Sequence, residues 1–234
     1  MNGLLEVAVL HARDVPGAQE GGADRLFVVG DGDREGLSPE PSLVQHVCRE
    51  TDLPVRVMLR LNESWTTSGG EFTRLVGLAE DFLARGAEGI AFGFLDSDLE
   101  VDARTCLALA EALPGVPWTF SRAIDATLDP RSSWRRLFGL PGLDAVRSAG
   151  SPRGLGVGFD DLLATARSDE RIPPILMAGG GLAAEQVPWF VRSGVRQFHL
   201  GSQARPGASY KAYVDAAHVR SYRLLVDDTV QRAG

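Results

Sequence analysis

Lysine is almost missing from this chain. Of its 24 basic residues only Lys211 is a lysine; the others are arginines, which stay protonated and form no Schiff base. A lysine-dependent aldolase mechanism is set aside, because it needs a strand-borne amine and Lys211 falls beyond the last candidate strand. Cysteine is equally scarce. Cys48 and Cys106 form neither a CxxC pair nor a disulfide framework, which points to a reducing compartment. No apolar run approaches the roughly 18 residues of a membrane-spanning helix. The apolar start, Leu4 to Leu10, has no basic segment before it and is interrupted by Glu6, so it reads as a strand rather than a signal peptide. A cytoplasmic location is expected. HExxH, tight His/Asp metal spacing and the GxSxG elbow are all missing. Positive charge is in deficit as well: 31 acidic residues give a net charge of −7, the wrong sign for a chain held to nucleic acid or anionic lipid by its overall field. The partners to expect are small.

What is present describes a folded domain. The 234 residues are 44% hydrophobic and 24% charged, enough to bury one full core. Short apolar runs alternate with segments of helical spacing, the signature of parallel βαβ units. The alternation repeats eight times, with candidate strands at 4–10, 25–29, 55–61, 89–94, 118–122, 144–148, 174–178 and 196–200. Candidate helices lie near 16–21, 42–51, 71–85, 103–113, 132–140, 160–166 and 183–193, with a last one at about 215–231. Asp102 is placed to cap the helix after it, and Gly86, Gly115 and Gly194 fall just past helices. The segment 151–158, with three glycines, reads as one long loop without a helix-opening phosphate motif. The class is α/β, and eight units in one domain over 1–234 predict a (β/α)8 TIM barrel. An open doubly wound sheet is the competitor, but its phosphate fingerprint belongs after the first strand, where this chain has Leu10-His11-Ala12-Arg13-Asp14.

A barrel builds its active site from the loops at the C-terminal ends of its strands. That selects Glu6, His11, Glu35, Arg60, Asn62, Asp96, Arg122, Asp125, Arg147, Ser148, the glycines 179–181, His199 and Ser202. Gly180 and Gly181 after strand seven, with Gly201 and Ser202 after strand eight, suit an anion cradle of main-chain N–H groups, or simply two tight turns. Arg56, Met58 and Arg60 share one face of strand three. An arginine inside a barrel needs a carboxylate or an anionic ligand, and Glu6 is the expected partner. That leaves two readings: a structural ion pair filling the barrel, or a carboxylate beside an arginine clamp acting as base. Arg122 and Asp125 either hold a polar metabolite or tie down a loop. His199 is a barrel-lining residue with a possible proton-transfer role, while His46 and His218 belong to the surface. Both cysteines fall on apolar helix faces outside the barrel, behaving as small hydrophobes.

The ordered motifs carry a resemblance. Leu5-Glu6-Val7, Gly21-Gly22-Ala23-Asp24-Arg25, Gly36-Leu37-Ser38-Pro39, Val57-Met58-Leu59-Arg60, Phe92-Gly93-Phe94-Leu95 with Val101-Asp102, Thr119-Phe120 with Arg122-Ala123 and Asp125, Met177-Ala178-Gly179-Gly180-Gly181, and Phe198-His199 with Ser202 together resemble the CutC family of copper homeostasis proteins. The resemblance runs from residue 4 to about 202. It implies a (β/α)8 barrel, a cytoplasmic location, oligomerisation (a homodimer is the simplest case) and copper handling. Glu6, Arg25, Arg60, Arg122, Asp125 and His199 carry over as the shared pocket. The chain also departs from the pattern, with Ala8 and Val29 where relatives carry cysteines in strands one and two, which removes the soft thiolates suited to Cu(I). Ser121, Asn62 and Arg147 replace a histidine, an arginine and a threonine.

Two functions are therefore expected from the sequence. One is copper binding, through His199, Met58, Met177 or a cysteine. The other is an isomerase or lyase for a small phosphorylated, carboxylate or polyhydroxy metabolite. In the enzyme, Arg60 and Arg122 clamp the anion, Gly180, Gly181, Gly201 and Ser202 cradle it, and Glu6 with His199 move the proton.

Overall fold

Strand side chains alternate, and here the alternation separates two cores. Leu5, Val7 and Val9 of β1 (Leu4–Val9) face outward with Leu26, Val28, Val55, Val57, Ile90 and Phe92, packing against the helices. Ala8, Phe27, Met58 and Ala91 point inward with Val29 and form a small cluster inside the ring. The computed structural model describes residues 3–32 and 36–233. Its remaining strands are β2 (Arg25–Val28), β3 (Val55–Met58), β4 (Gly89–Phe92), β5 (Trp118–Phe120), β6 (Leu143–Ser148), β7 (Leu176–Ala178) and β8 (Gln197–Leu200). All pair in parallel, and β1 pairs with β8, so the sheet closes in strand order one to eight. The expected (β/α)8 barrel is the fold.

Among the described residues eight α-helices cover the ring: α1 (Val15–Glu20), α2 (Pro41–Arg49), α3 (Gly69–Ala84), α4 (Ala103–Ala112), α5 (Pro130–Leu137), α6 (Leu155–Ser168), α7 (Val187–Arg192) and α8 (Ala216–Ala233). Asp102 caps α4 by accepting from the Thr105 N–H at 3.0 Å. The fifth helix begins two residues before its expected start, because Asp129 caps it and Pro130 fits its first turn. The sixth corrects the sequence reading more substantially. Residues 155–158 are not loop but the first turn of α6. Gly154, at φ +89°, swings the chain so that the Leu155 N–H donates to the Gly180 carbonyl at 2.8 Å. Gly158 is required because a side chain there would collide with the Ala149 carbonyl. The glycines thus seat a helix against the end of β6.

Ion pairs finish both ends of the barrel. At the N-terminal end Arg56 donates to both oxygens of Asp144, at 2.5 and 2.8 Å, and to Thr119. At the C-terminal end Arg205 and Asp14, each with a side chain 0% exposed, form a two-pronged pair with both distances 2.9 Å. Asp14 also accepts from the Leu10, His11 and Val214 N–H groups, and Arg205 donates to the Ala8 and Ala212 carbonyls. One pair therefore ties the loop after β1 to the chain leaving β8.

Truncating one partner of such a pair strands the other charge in the interior. Asp14→Ala is expected to lower unfolding stability by about 3–5 kcal/mol, read as a lower urea midpoint; a loss under about 1 kcal/mol, the scale of surface pairs, would show that the latch carries no such weight.

Candidate functional site

Neighbouring strands bring three polar side chains into one layer. Glu6 is in register with Arg25 on one side and with His199 on the other, and all three point into the barrel. The Glu6 carboxylate, 1% exposed, accepts from Arg25 Nε at 2.7 Å through one oxygen. Its other oxygen lies 2.7 Å from His199 Nδ1. Burial alone would raise the Glu6 pKa, but the Arg25 charge and the His199 hydrogen bond outweigh it, and Glu6 is held well below the usual carboxylate range. His199 moves down too, to about 4, chiefly because burial and the nearby Arg147 charge oppose a second cation. The pair is thus carboxylate with neutral imidazole. Its shared hydrogen sits on Nδ1, so Nε2 keeps its lone pair.

Nε2 faces the C-terminal mouth, where it lies 3.5 Å from Arg147 Nη1. The Arg147 guanidinium stacks over Phe27 at 4.2 Å, and the His199 ring meets the same Phe27 edge-on. Above them opens a cavity of about 180 Å³. Ala8, Phe27 and Val29 form one wall; Arg122, Arg147, Gly180, Gly181, Gly201, Ser202 and Gln203 form the other, with Asp31 and Tyr210 at the rim. Gly180 and Gly181 have φ of +83° and +94°, and a side chain at Gly180 would run into the Arg122 guanidinium. The main-chain N–H groups of Gly180, Gly181, Ser202 and Gln203 donate to no acceptor among the described residues.

Arg122 is held by Asp125, whose Oδ2 accepts from its Nε at 2.8 Å, and it also donates to the Ser151 and Pro152 carbonyls. Asp125 accepts in addition from Ser148 Oγ and from the Ala149 and Gly150 N–H groups. Of the two readings the sequence left open, the geometry makes Asp125 the loop tie and the brace of Arg122; it does not line the cavity.

Three expectations change. Glu6 pairs with Arg25 and His199 instead of Arg60 or Arg56, because barrel closure sets β8 beside β1. Arg60 lies outside the cavity lining: it stacks on Trp65 at 3.6 Å, donates to the Glu63 and Ser64 carbonyls, and borders a side crevice with Asn62 and Gly93. The loop after β3 wraps it there. Glu6 itself lies beneath the cavity, so it orients His199 without reaching the mouth. Arg147 and Gln203 join the lining instead; Arg147 was legible as a candidate, Gln203 carried no sequence signal. His11 is exposed on the Tyr213 ring, His46 and His218 are exposed, and Asn62 serves Glu71. Glu35 lies outside the described residues. Cys106 is buried on α4, where burial pushes its thiol up to about 12, and Cys48 is half-buried on α2.

The model of the CutC family matches residues 3–204. The chain belongs to the CutC family. A CutC protein of Klebsiella pneumoniae subsp. pneumoniae is 28% identical over 231 residues, covering 94% of this chain and 92% of its own length. The human copper homeostasis protein cutC homolog is 28% identical over 216 residues, covering 89% and 76%. The crystal structure of CutC from Streptococcus agalactiae superposes with a TM-score of 0.73 at 21% identity, covering 85% of this chain and 98% of that one. A thiamine phosphate pyrophosphorylase from Pyrococcus furiosus, at 0.61 and 16% identity, shares the barrel fold. In this CutC-family chain no three His, Cys, Asp or Glu side chains among the described residues converge as metal ligands, and no helix there is long and apolar enough to cross a membrane.

The pair predicts an acid response with a definite sign. Unfolded His199 takes a proton near its ordinary 6.5, whereas in the fold it waits until about 4, so stability falls as pH drops through that window, by on the order of 3 kcal/mol. A second loss begins below about 4.5, where the unfolded Glu6 carboxyl protonates and the folded one does not. Urea denaturation from pH 7 to 4.5 is expected to show the first loss in the wild type and a flatter profile in His199→Gln; equal slopes would refute a neutral buried imidazole.

Proposed function

We propose that this chain binds a small phosphorylated or carboxylate metabolite at its C-terminal mouth and acts on it by proton transfer, as an isomerase or lyase. The observation that supports this reading is the convergence of Arg122, Arg147 and the main-chain N–H groups of two glycine-bearing loops around the one lone pair of His199. Guanidinium groups and main-chain N–H groups are the donors that suit phosphate and carboxylate oxygens, and the loops after the seventh and eighth strands are where barrels commonly place phosphate.

The chemistry follows from the charges. Glu6 holds the imidazole by Nδ1, fixing which nitrogen meets the substrate. At about 4 His199 is a weak base, and part of the cause is the Arg147 charge. An anion bound against Arg147 offsets that charge and raises the basicity of Nε2, so ligand and base are linked. Nε2 then takes a proton from a carbon next to a carbonyl, while Arg147 and the loop N–H groups stabilise the oxyanion that forms. His199 is the catalytic residue in this reading; Glu6 and Asp125 are positioning residues.

The copper role printed in the names of the human and mouse relatives needs soft or imidazole donors. The residues here do not fit a copper ion. His199 offers one nitrogen beside a guanidinium, Ala8 and Val29 are apolar, Met58 is packed beneath them without exposed surface, and both cysteines sit on outer helices.

Thermal-shift and calorimetric titration with inorganic phosphate are expected to show binding that weakens at least ~10-fold in Arg122→Ala or Arg147→Ala, with Arg60→Ala unchanged. Phosphorylated ketoses incubated in D2O are expected to exchange a C–H proton, an exchange lost in His199→Gln. Cu(I) titration is expected to be identical for wild type and Cys106→Ser; a tight 1:1 site abolished by His199→Gln, with no phosphate binding, would overturn the proposal.

A further inference from the structure

One outer face of the barrel carries both halves of a contact without making it. Between α5 and α6 opens a cavity of about 450 Å³, floored by the buried side chains of Ile124, Trp134 and Leu162. A second hollow continues it along α5, and Arg131, Trp134, Thr165 and Ser168 line both. At the edge of the larger hollow stands Leu128, 74% exposed. Its N–H donates to the Leu99 carbonyl at 3.3 Å. Leu99 is itself 43% exposed and holds a φ of +55°, a left-handed conformation that a leucine adopts only at a cost. Single exposed leucines need no explanation, whereas two joined by a backbone hydrogen bond beside an apolar hollow mark an interaction surface.

Charge is divided in the same way. Arg131 and Arg135 on the α5 wall are exposed and make no ion pair among the described residues, and Asp161 on the α6 wall is exposed and makes none either. Cations and carboxylate flank one hollow without meeting across it. In a twofold contact each patch meets its own copy, so every feature must find its complement on the same surface. This face meets that condition, with a projecting leucine beside a hollow and arginines opposite a carboxylate. A twofold axis over the hollow lays each α5 across α6 of the other copy, which pairs Arg131 with Asp161 of the second copy and does so twice.

We propose that the face between α5 and α6 docks a second copy of this chain in a twofold dimer, in which Leu128 enters the hollow of the other copy and Arg131 pairs with its Asp161. The inner wall of the hollow is formed by Asp125, Ser148 and Gly150, the groups that hold Arg122 and its loop. The second copy is therefore seated behind the brace of the mouth. The two cavities share no lining residue, so this inference stands apart from the anion reading.

The test is sedimentation of the full chain from about 1 to about 100 μM, where a dimer with an interface of standard size forms. The wild type is expected to be a dimer. Leu128→Asp is expected to weaken it at least ~10-fold. Arg131→Asp and Asp161→Arg each set like charges face to face at both ends of the interface, and each is expected to weaken it to a similar extent. Combining the two reversals restores opposite charges and is expected to bring the affinity back to within about threefold of the wild type. That rescue separates a lost contact from a lost fold, because the double variant carries both changes. A wild type that stays monomeric throughout overturns the proposal and leaves the face to an unlike partner. A dimer that none of the single variants weakens, or a double variant no tighter than the singles, overturns it too, since the copies then meet elsewhere.

Discussion

A carboxylate in the middle of a barrel is an expensive object, and Glu6 exists there because two neighbouring strands supply what it needs. Arg25 takes one oxygen and His199 the other. Burying a single carboxylate without such partners costs several kcal/mol, and burying Arg25 alone costs no less. Each member is therefore a condition for the others, and the rest of the mouth follows from the arrangement. With Glu6 ionised and occupied on both sides, His199 is fixed by Nδ1, stays neutral, and turns Nε2 toward solvent. The basic group at the mouth is thus chosen by a residue that never reaches it.

Three further ion pairs divide the remaining work. The Arg56–Asp144 pair closes the N-terminal end. Asp125 holds Arg122 and, through the Ala149 and Gly150 N–H groups, the turn out of β6. Asp14 and Arg205 join the loop after β1 to the segment after β8. The last two act on the loops that frame the cavity, so loop geometry at the C-terminal end is set by fully or largely desolvated charge pairs rather than by apolar contact. Such pairs tolerate little displacement, since their attraction must offset a large desolvation cost. That rigidity suits a site whose donors must be in place before the ligand arrives.

The barrel was legible because its signal is local: period-two strands, helical spacing and capping residues such as Asp102 each declare themselves within a few positions. So were His199, Arg122 and the glycine turns, since strand ends locate them. Which charge meets which was not. Glu6 and His199 are 193 residues apart and Asp14 and Arg205 are 191 apart; only closure of the ring sets them side by side. Arg60 falls on the inward face by period, as expected, yet just beyond it the chain turns and Trp65 covers it. The start of α6 was missed because glycine at 154, 156 and 158 weighs against helix, whereas at 158 contact with the turn after β6 leaves room for nothing larger. Gln203 had no pattern to betray it; only the turn after β8 places it in the cavity wall.

Family membership and cavity chemistry answer different questions, and a barrel shared across many activities makes the second the better guide to what is bound. The sign of the nearby charges bears on that choice. Two guanidinium groups and a set of main-chain N–H groups line the mouth, and burial together with the Arg147 charge lowers the pKa of His199. A metal cation entering there would meet the Arg147 charge that, with burial, keeps the imidazole neutral, and would find one nitrogen to offset it. In the proposed anion complex the reverse holds: the ligand offsets the Arg147 charge beside His199 and accepts from main-chain N–H groups that have no acceptor among the described residues. The lowered basicity of His199 thus reflects burial first and the neighbouring Arg147 charge second, and only the second would respond to a bound anion.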